Sequence, residues 1–118
     1  MQRVLVVDDA PFLRMMVSKL LTENGYEIAG EAENGEDAIQ KYKELKPDIV
    51  TMDITMPVKT GLEALREIIE YDKDAKVVMV TAMGQQSMVF EAIQLGAKSF
   101  IVKPFKDDIF IGTIKQVI

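Results

Sequence analysis

A few scattered side chains carry the chemistry worth arguing from. Asp8 and Asp9 follow the apolar run Val4–Val7, and Asp53 follows Ile49–Met52. Thr81 ends the run Val77–Thr81, and Lys103 follows Phe100–Val102 and precedes Pro104. If these runs are strands of one sheet, all these residues fall on one rim. Carboxylates gathered there repel one another, which raises at least one pKa unless a cation compensates. A hard divalent cation with oxygen ligands is the natural compensation. Mg2+ suits a site with few carboxylates, because it keeps several waters and accepts a phosphate oxygen. Lys103 adds a compact positive charge and Thr81 a hydroxyl donor. Such groups around one carboxylate suit a phosphoryl group bound to it, and Asp side chains are nucleophiles that form acyl phosphates. Each residue alone has a plainer reading. The Asp pair could cap a helix, Asp53 could be a turn residue, Thr81 a strand residue and Lys103 a solvated loop lysine. Their joint placement is what favours chemistry.

The elements that must position them are short β-branched runs alternating with longer helical patterns. Besides the runs above, Glu27–Gly30 reads as a strand. Helical spacing joins Phe12, Met15, Met16, Lys19 and Leu20, then Ala38, Ile39, Tyr42 and Leu45, then Leu62, Leu65, Ile68 and Ile69. Asn24-Gly25, Pro47 and Gly96 supply stop signals. The strands are nearly uniformly apolar, as in a parallel sheet covered on both faces. Strict alternation gives an α/β fold, a doubly wound five-stranded parallel sheet with five helices. In such sheets ligands bind beyond the carboxyl ends of the strands. The methionines Met15, Met16, Met52, Met56, Met79, Met83 and Met88 read as core and loop packing.

Composition narrows the function. The chain has 118 residues, which suits one domain over 1–118 with no linker. It has no Cys and no His, which excludes disulfide frameworks, thiol catalysis, Ser-His-Asp triads and His-ligated zinc. A net charge of −5 argues against direct nucleic-acid binding. No run approaches the ~20 apolar residues of a spanning helix, so no membrane role and a cytoplasmic location are expected.

Val-Leu-Val-Val-Asp-Asp at 4–9, Asp-Ile-Thr-Met-Pro at 53–57, Thr-Ala at 81–82 and Val-Lys-Pro-Phe at 102–105 resemble the receiver domain of two-component response regulators. The resemblance runs in order over essentially the whole chain. Residues 9–16 and 82–88 are similar to the single-domain chemotaxis class within that family. The flavodoxin-like order 2-1-3-4-5, known for this same class, is implied by the resemblance and not by the periodicity. So are the roles. The resemblance implies Asp53 as phosphoacceptor, with Mg2+ held by Asp9, Asp53 and the Thr55 backbone carbonyl, and by Asp8 mainly through a water. It implies Thr81 and Lys103 at the phosphoryl oxygens, a cis Lys103–Pro104 peptide, and a switch in which Thr81 moves and Phe100 turns inward. A plain core phenylalanine is the rival reading of Phe100.

The implied partners are a histidine kinase as phosphodonor, a flagellar motor switch protein on the face of helix 4, strand 5 and helix 5, and a phosphatase. The implied chain is a monomer whose only catalysis is its own phosphorylation and dephosphorylation. A phosphorelay intermediate and a receiver cut from a longer DNA-binding regulator stay open. Two readings from other classes are weaker. An Asp-nucleophile phosphatase usually has a second Asp where Thr55 stands, and a flavin-binding module would place its phosphate against Asp8-Asp9. The last helix, starting near Lys106, is expected to be short, because Gly112 interrupts a β-branched segment.

Overall fold

The computed structural model describes residues 1–118. Strands β1 (Arg3–Val7), β2 (Glu27–Ala32), β3 (Ile49–Asp53), β4 (Val77–Ala82) and β5 (Ser99–Lys103) alternate with helices. These are α1 (Pro11–Glu23), α2 (Gly35–Leu45), α3 (Gly61–Tyr71), α4 (Gln86–Leu95) and α5 (Asp107–Val117). All neighbouring strands pair in parallel, in the order β2-β1-β3-β4-β5. The two-residue period of a strand divides the sheet between two cores. Leu5, Val50, Met52, Val77 and Met79 pack with Ala38, Tyr42, Leu65 and Ile68 under α2 and α3. Val4, Val6, Ile49, Val78 and Val80 pack with Leu21 and Phe110 under α1 and α5.

Local chemistry sets the ends of the helices. The Asn34 side chain accepts the Asp37 amide at 2.8 Å at the start of α2. Thr60 and Glu63 form a reciprocal capping box at the start of α3. Pro11 opens α1 at its first turn, where a missing N–H costs nothing. The predicted stops stand close to the observed ends, with Gly25 and Gly96 at positive φ after α1 and α4.

Several expectations are corrected. Of the expected α1 stripe only Leu20 is buried, together with Val17 and Leu21, while Phe12 (66% exposed), Met15, Met16 and Lys19 face outward. Both stripes are apolar, so spacing alone could not select between them. Met52, Met56 and Met79 are buried, but Met15, Met16, Met83 and Met88 are exposed. Full cover of both faces holds for β1, β3 and β4 and fails at the edge strands, where β5 leaves Phe100 and Val102 exposed. Phe100 is therefore not a core residue. Helix α5 is not short either: it has 11 residues, as many as α3. Burial of Phe110, Ile111 and Ile114 overrides its weak propensity.

Candidate acidic site at the sheet rim

The central strands β1 and β3 are adjacent, so the residues just past them meet. Carboxylate oxygens of Asp8, Asp9 and Asp53 lie within 4.8 Å of one another. Asp8 and Asp53 are buried and Asp9 is exposed. From β5, the Lys103 ammonium lies 3.4 Å from Asp53 Oδ2 and 3.6 Å from Asp8 Oδ2. The Lys103–Pro104 peptide is cis. Burial, and then the charge of Asp8, push the Asp53 carboxyl above its ordinary pKa, while Lys103 and the Thr55 backbone pull it down. Burial is the largest influence, so the carboxylate sits in an environment that disfavours its charge.

The surrounding backbone keeps the rim tight. Ala10 N–H donates to Asp8 Oδ1 at 2.9 Å, and the Arg14 guanidinium donates to the Asp8 carbonyl at 2.6 Å. After Asp53, the chain must turn sharply into α3. Gly61 N–H donates to the Ile54 carbonyl at 2.7 Å, and a Cβ at Gly61 would collide with the Asp53 carbonyl oxygen. Between them, Val58 takes φ 68°, and Lys59 N–H donates to the Pro57 carbonyl at 2.8 Å, closing a tight three-residue turn. Positive φ at a β-branched residue is strained. The loop is fastened by the Lys59 ammonium, 3.1 Å from Glu36 and 2.5 Å from Glu67.

Thr81 is buried at the end of β4, and its hydroxyl donates to Gln85 Oε1 at 2.7 Å. Thr55 is exposed in the loop after β3, and its Oγ1 accepts from Gln85 Nε2 at 2.8 Å. Phe100 lines an open groove with Thr81, Met83, Gln85, Val89 and Val102. The carboxylates and Lys103 thus converge, with Thr81 and Thr55 joined to each other through a residue that sequence reasoning passed over. Gln85 stands inside the quoted stretch 82–88, yet no spacing rule marks it, because its contacts cross loops. Arg14 and Gly61 were missed because they act across turns whose geometry no periodicity rule describes.

The donor set is all oxygen with an excess of negative charge over the single ammonium. It therefore fits a hard cation such as Mg2+ and lacks the thiolate and imidazole ligands that favour softer metals. A family model described as the response regulator receiver domain matches residues 4–115. The chemotaxis protein CheY of Thermotoga maritima is 57% identical over 116 residues, spanning 98% of this chain and 97% of the relative. The solved CheX–CheY–BeF3–Mg2+ complex of Borrelia burgdorferi is similar with a TM-score of 0.95 at 39% identity, covering 98% of this chain and 88% of that one. The response regulator TrrA of Thermotoga maritima, solved with Mg2+ and BeF, gives a TM-score of 0.91 at 38% identity over 100% of both chains.

Proposed function

The chain belongs to the response regulator receiver family, and from that premise we propose that residues 1–118 form one receiver domain whose phosphoacceptor is Asp53. The observation that carries this is a buried Asp53 carboxylate held 3.4 Å from a lysine ammonium and within 4.8 Å of the Asp8 and Asp9 carboxylates. An Asp53 oxygen forms the new bond to phosphorus, while the bond from phosphorus to the donor breaks and the leaving group departs with its electron pair. The chain has no histidine, so a phosphohistidine donor must lie in a second protein, a histidine kinase, or a small acyl phosphate must replace it.

Asp9, Asp53 and the Thr55 carbonyl would hold Mg2+, with Asp8 acting through a water. When bound, the ion offsets the carboxylate charge and draws negative charge off a phosphoryl oxygen. Lys103 pairs with the phosphoryl oxygens from the β5 side, and the Thr81 hydroxyl donates to them once it leaves Gln85. Phe100 turns into the space that Thr81 vacates. Because Phe100 has no hydroxyl, its movement changes burial alone. The output face is α4–β5–α5, where Phe90, Ile93, Phe100, Val102 and Ile109 are exposed. Its partner in this reading is a flagellar motor switch protein, which the chemotaxis relatives support. A phosphatase is a further partner. The protein then acts in the cytoplasm as a monomer; no helix is long and apolar enough to cross a membrane.

Incubation with acetyl phosphate and Mg2+, followed by mass spectrometry, tests the site. The wild type should gain the mass of one phosphoryl group and Asp53→Asn should not. Equal gain by both would place the acceptor elsewhere. Pull-down by a motor switch peptide, dependent on phosphorylation, tests the output.

A further inference from the structure

Gln85 joins the two loops that flank the rim. Its Oε1 accepts from Ala82 N–H at 2.8 Å and from the Thr81 hydroxyl at 2.7 Å, and its Nε2 donates to Thr55 Oγ1 at 2.8 Å. A backbone amide can only donate, so the carboxamide end facing Ala82 is the oxygen. The Thr81 hydroxyl has one proton, and of its two acceptors the Gln85 oxygen at 2.7 Å is nearer than the Ala82 carbonyl at 3.2 Å. Gln85 also begins α4. Its carbonyl accepts from Met88 and Val89 N–H at 3.0 and 3.1 Å, yet its side chain caps no α4 amide, and the first turn has no acidic residue. Ala92 is the buried residue of this helix. The N-terminal turn of α4 is therefore fastened through the Gln85 side chain to the loops rather than through a cap.

We propose that Gln85 is a positioning residue, a latch that holds the Thr81 hydroxyl in its unphosphorylated arrangement and ties the start of α4 to that state. The latch rests on the functional reading above. A hydroxyl with one proton cannot serve Gln85 and a phosphoryl oxygen together, so donation to the phosphoryl group breaks the bond to Gln85. Without that bond the Gln85 carboxamide lets go of Ala82 and Thr55 as well, which unfastens the first turn of α4. Phosphoryl binding at Asp53 and loosening of the first turn of α4 become one equilibrium, with Gln85 weighting the unphosphorylated side. One neutral hydrogen bond weights such an equilibrium by about two- to tenfold.

The experiment titrates beryllofluoride with Mg2+ into the wild type, Gln85→Ala, Gln85→Met, Thr81→Val and the Thr81→Val/Gln85→Ala pair. Calorimetry reads affinity and the Ala82 amide proton resonance reads the latch. Both Gln85 variants should bind about two- to tenfold more tightly than the wild type. The gain should vanish when Gln85→Ala is made in the Thr81→Val background. The free Gln85 variants should also show the Ala82 resonance displaced in the direction that beryllofluoride displaces it in the wild type. Unchanged or weaker binding by both Gln85 variants, or the same gain without the Thr81 hydroxyl, overturns the latch while leaving the phosphoryl site standing. Failure of the wild type to bind beryllofluoride at all would overturn the functional reading and the latch with it.

Discussion

Replacing Asp53 by Asn should make the metal-free protein more stable, although it removes the proposed phosphoacceptor. Oxygens of Asp8, Asp9 and Asp53 lie within 4.8 Å of one another. At an effective dielectric constant of about 20, each like-charge pair at that separation repels by about 3.5 kcal/mol. The Lys103 ammonium, 3.4 Å from Asp53, returns about 5 kcal/mol on the same footing. Two repulsions therefore outweigh one attraction by about 2 kcal/mol before desolvation is counted. Exposure of Asp9 screens its share, and burial of Asp53 adds to the cost of its charge. Asn keeps the shape and removes the charge, so a gain of about 1–3 kcal/mol is expected at neutral pH in chelator.

The pH dependence has a definite sign. Burial, and then Asp8, raise the folded-state pKa of Asp53 above its ordinary value. A carboxyl raised in this way contributes stability that is fully present below its unfolded pKa, about 3.9, and is lost as pH rises through the folded value. Below that window the wild type and Asp53→Asn should be equally stable, and the variant's advantage should open as pH rises. Adding Mg2+ should narrow or reverse the advantage, because a ligand of the folded state stabilises in proportion to its occupancy. Urea unfolding across pH, with chelator and with Mg2+, measures all of this. A variant less stable than the wild type at neutral pH in chelator would refute the electrostatic reasoning, whatever its phosphorylation.

Three further outcomes are expected. Gly112→Ala should stabilise by about 0.5–1 kcal/mol, since the position is helical and a Cβ there meets open space; thermal unfolding checks it. Gly61→Ala should cost about 2–3 kcal/mol and weaken Mg2+ binding, because the added Cβ pushes against the Asp53 carbonyl; unfolding and metal titration read the two effects. Lys103→Met should leave Asp8 and Asp53 buried without their ammonium, costing about 3 kcal/mol in chelator at neutral pH and less at pH 4, with acetyl phosphate labelling largely lost.

What could be read from the sequence divides along physical lines. Four of the five strands were legible because their apolar runs end abruptly in Asp, Thr or Lys, and those endings form the candidate site. Once β1 and β3 are parallel neighbours, Asp8, Asp9 and Asp53 cannot avoid meeting. The buried face of α1 was not legible, because Phe12, Met15 and Met16 compete with Val17, Leu20 and Leu21 and only the sheet chooses between them. Nor could the exposure of Phe100 be read, since it depends on how far α4 covers an edge strand. The order of α5 depends on burial of Phe110, Ile111 and Ile114, which a propensity argument over Gly112 ignores. Gln85 reaches Thr55 from another loop, while Arg14 and Gly61 act across turns whose geometry no periodicity rule describes, and nothing local distinguishes the three from ordinary loop or helix residues.

The distribution of local anchoring bears on how a charge at Asp53 can travel. Helices α2 and α3 begin with side-chain caps, at Asn34 and at Thr60 with Glu63, and both press on the larger core. Helices α4 and α5 begin without a side-chain cap at Gln85 and Lys106. Adding a phosphoryl group changes charge by about −1.5 to −2, and such a change displaces whichever contacts are least costly to break. The single Thr81–Gln85 hydrogen bond is cheaper to break than the two reciprocal bonds of the Thr60–Glu63 capping box. Helix α1 is equally uncapped at Ala10 but is tied to the Asp8 carbonyl through Arg14, so in the proposed switch the cheaper movement is toward α4 and the exposed edge of β5.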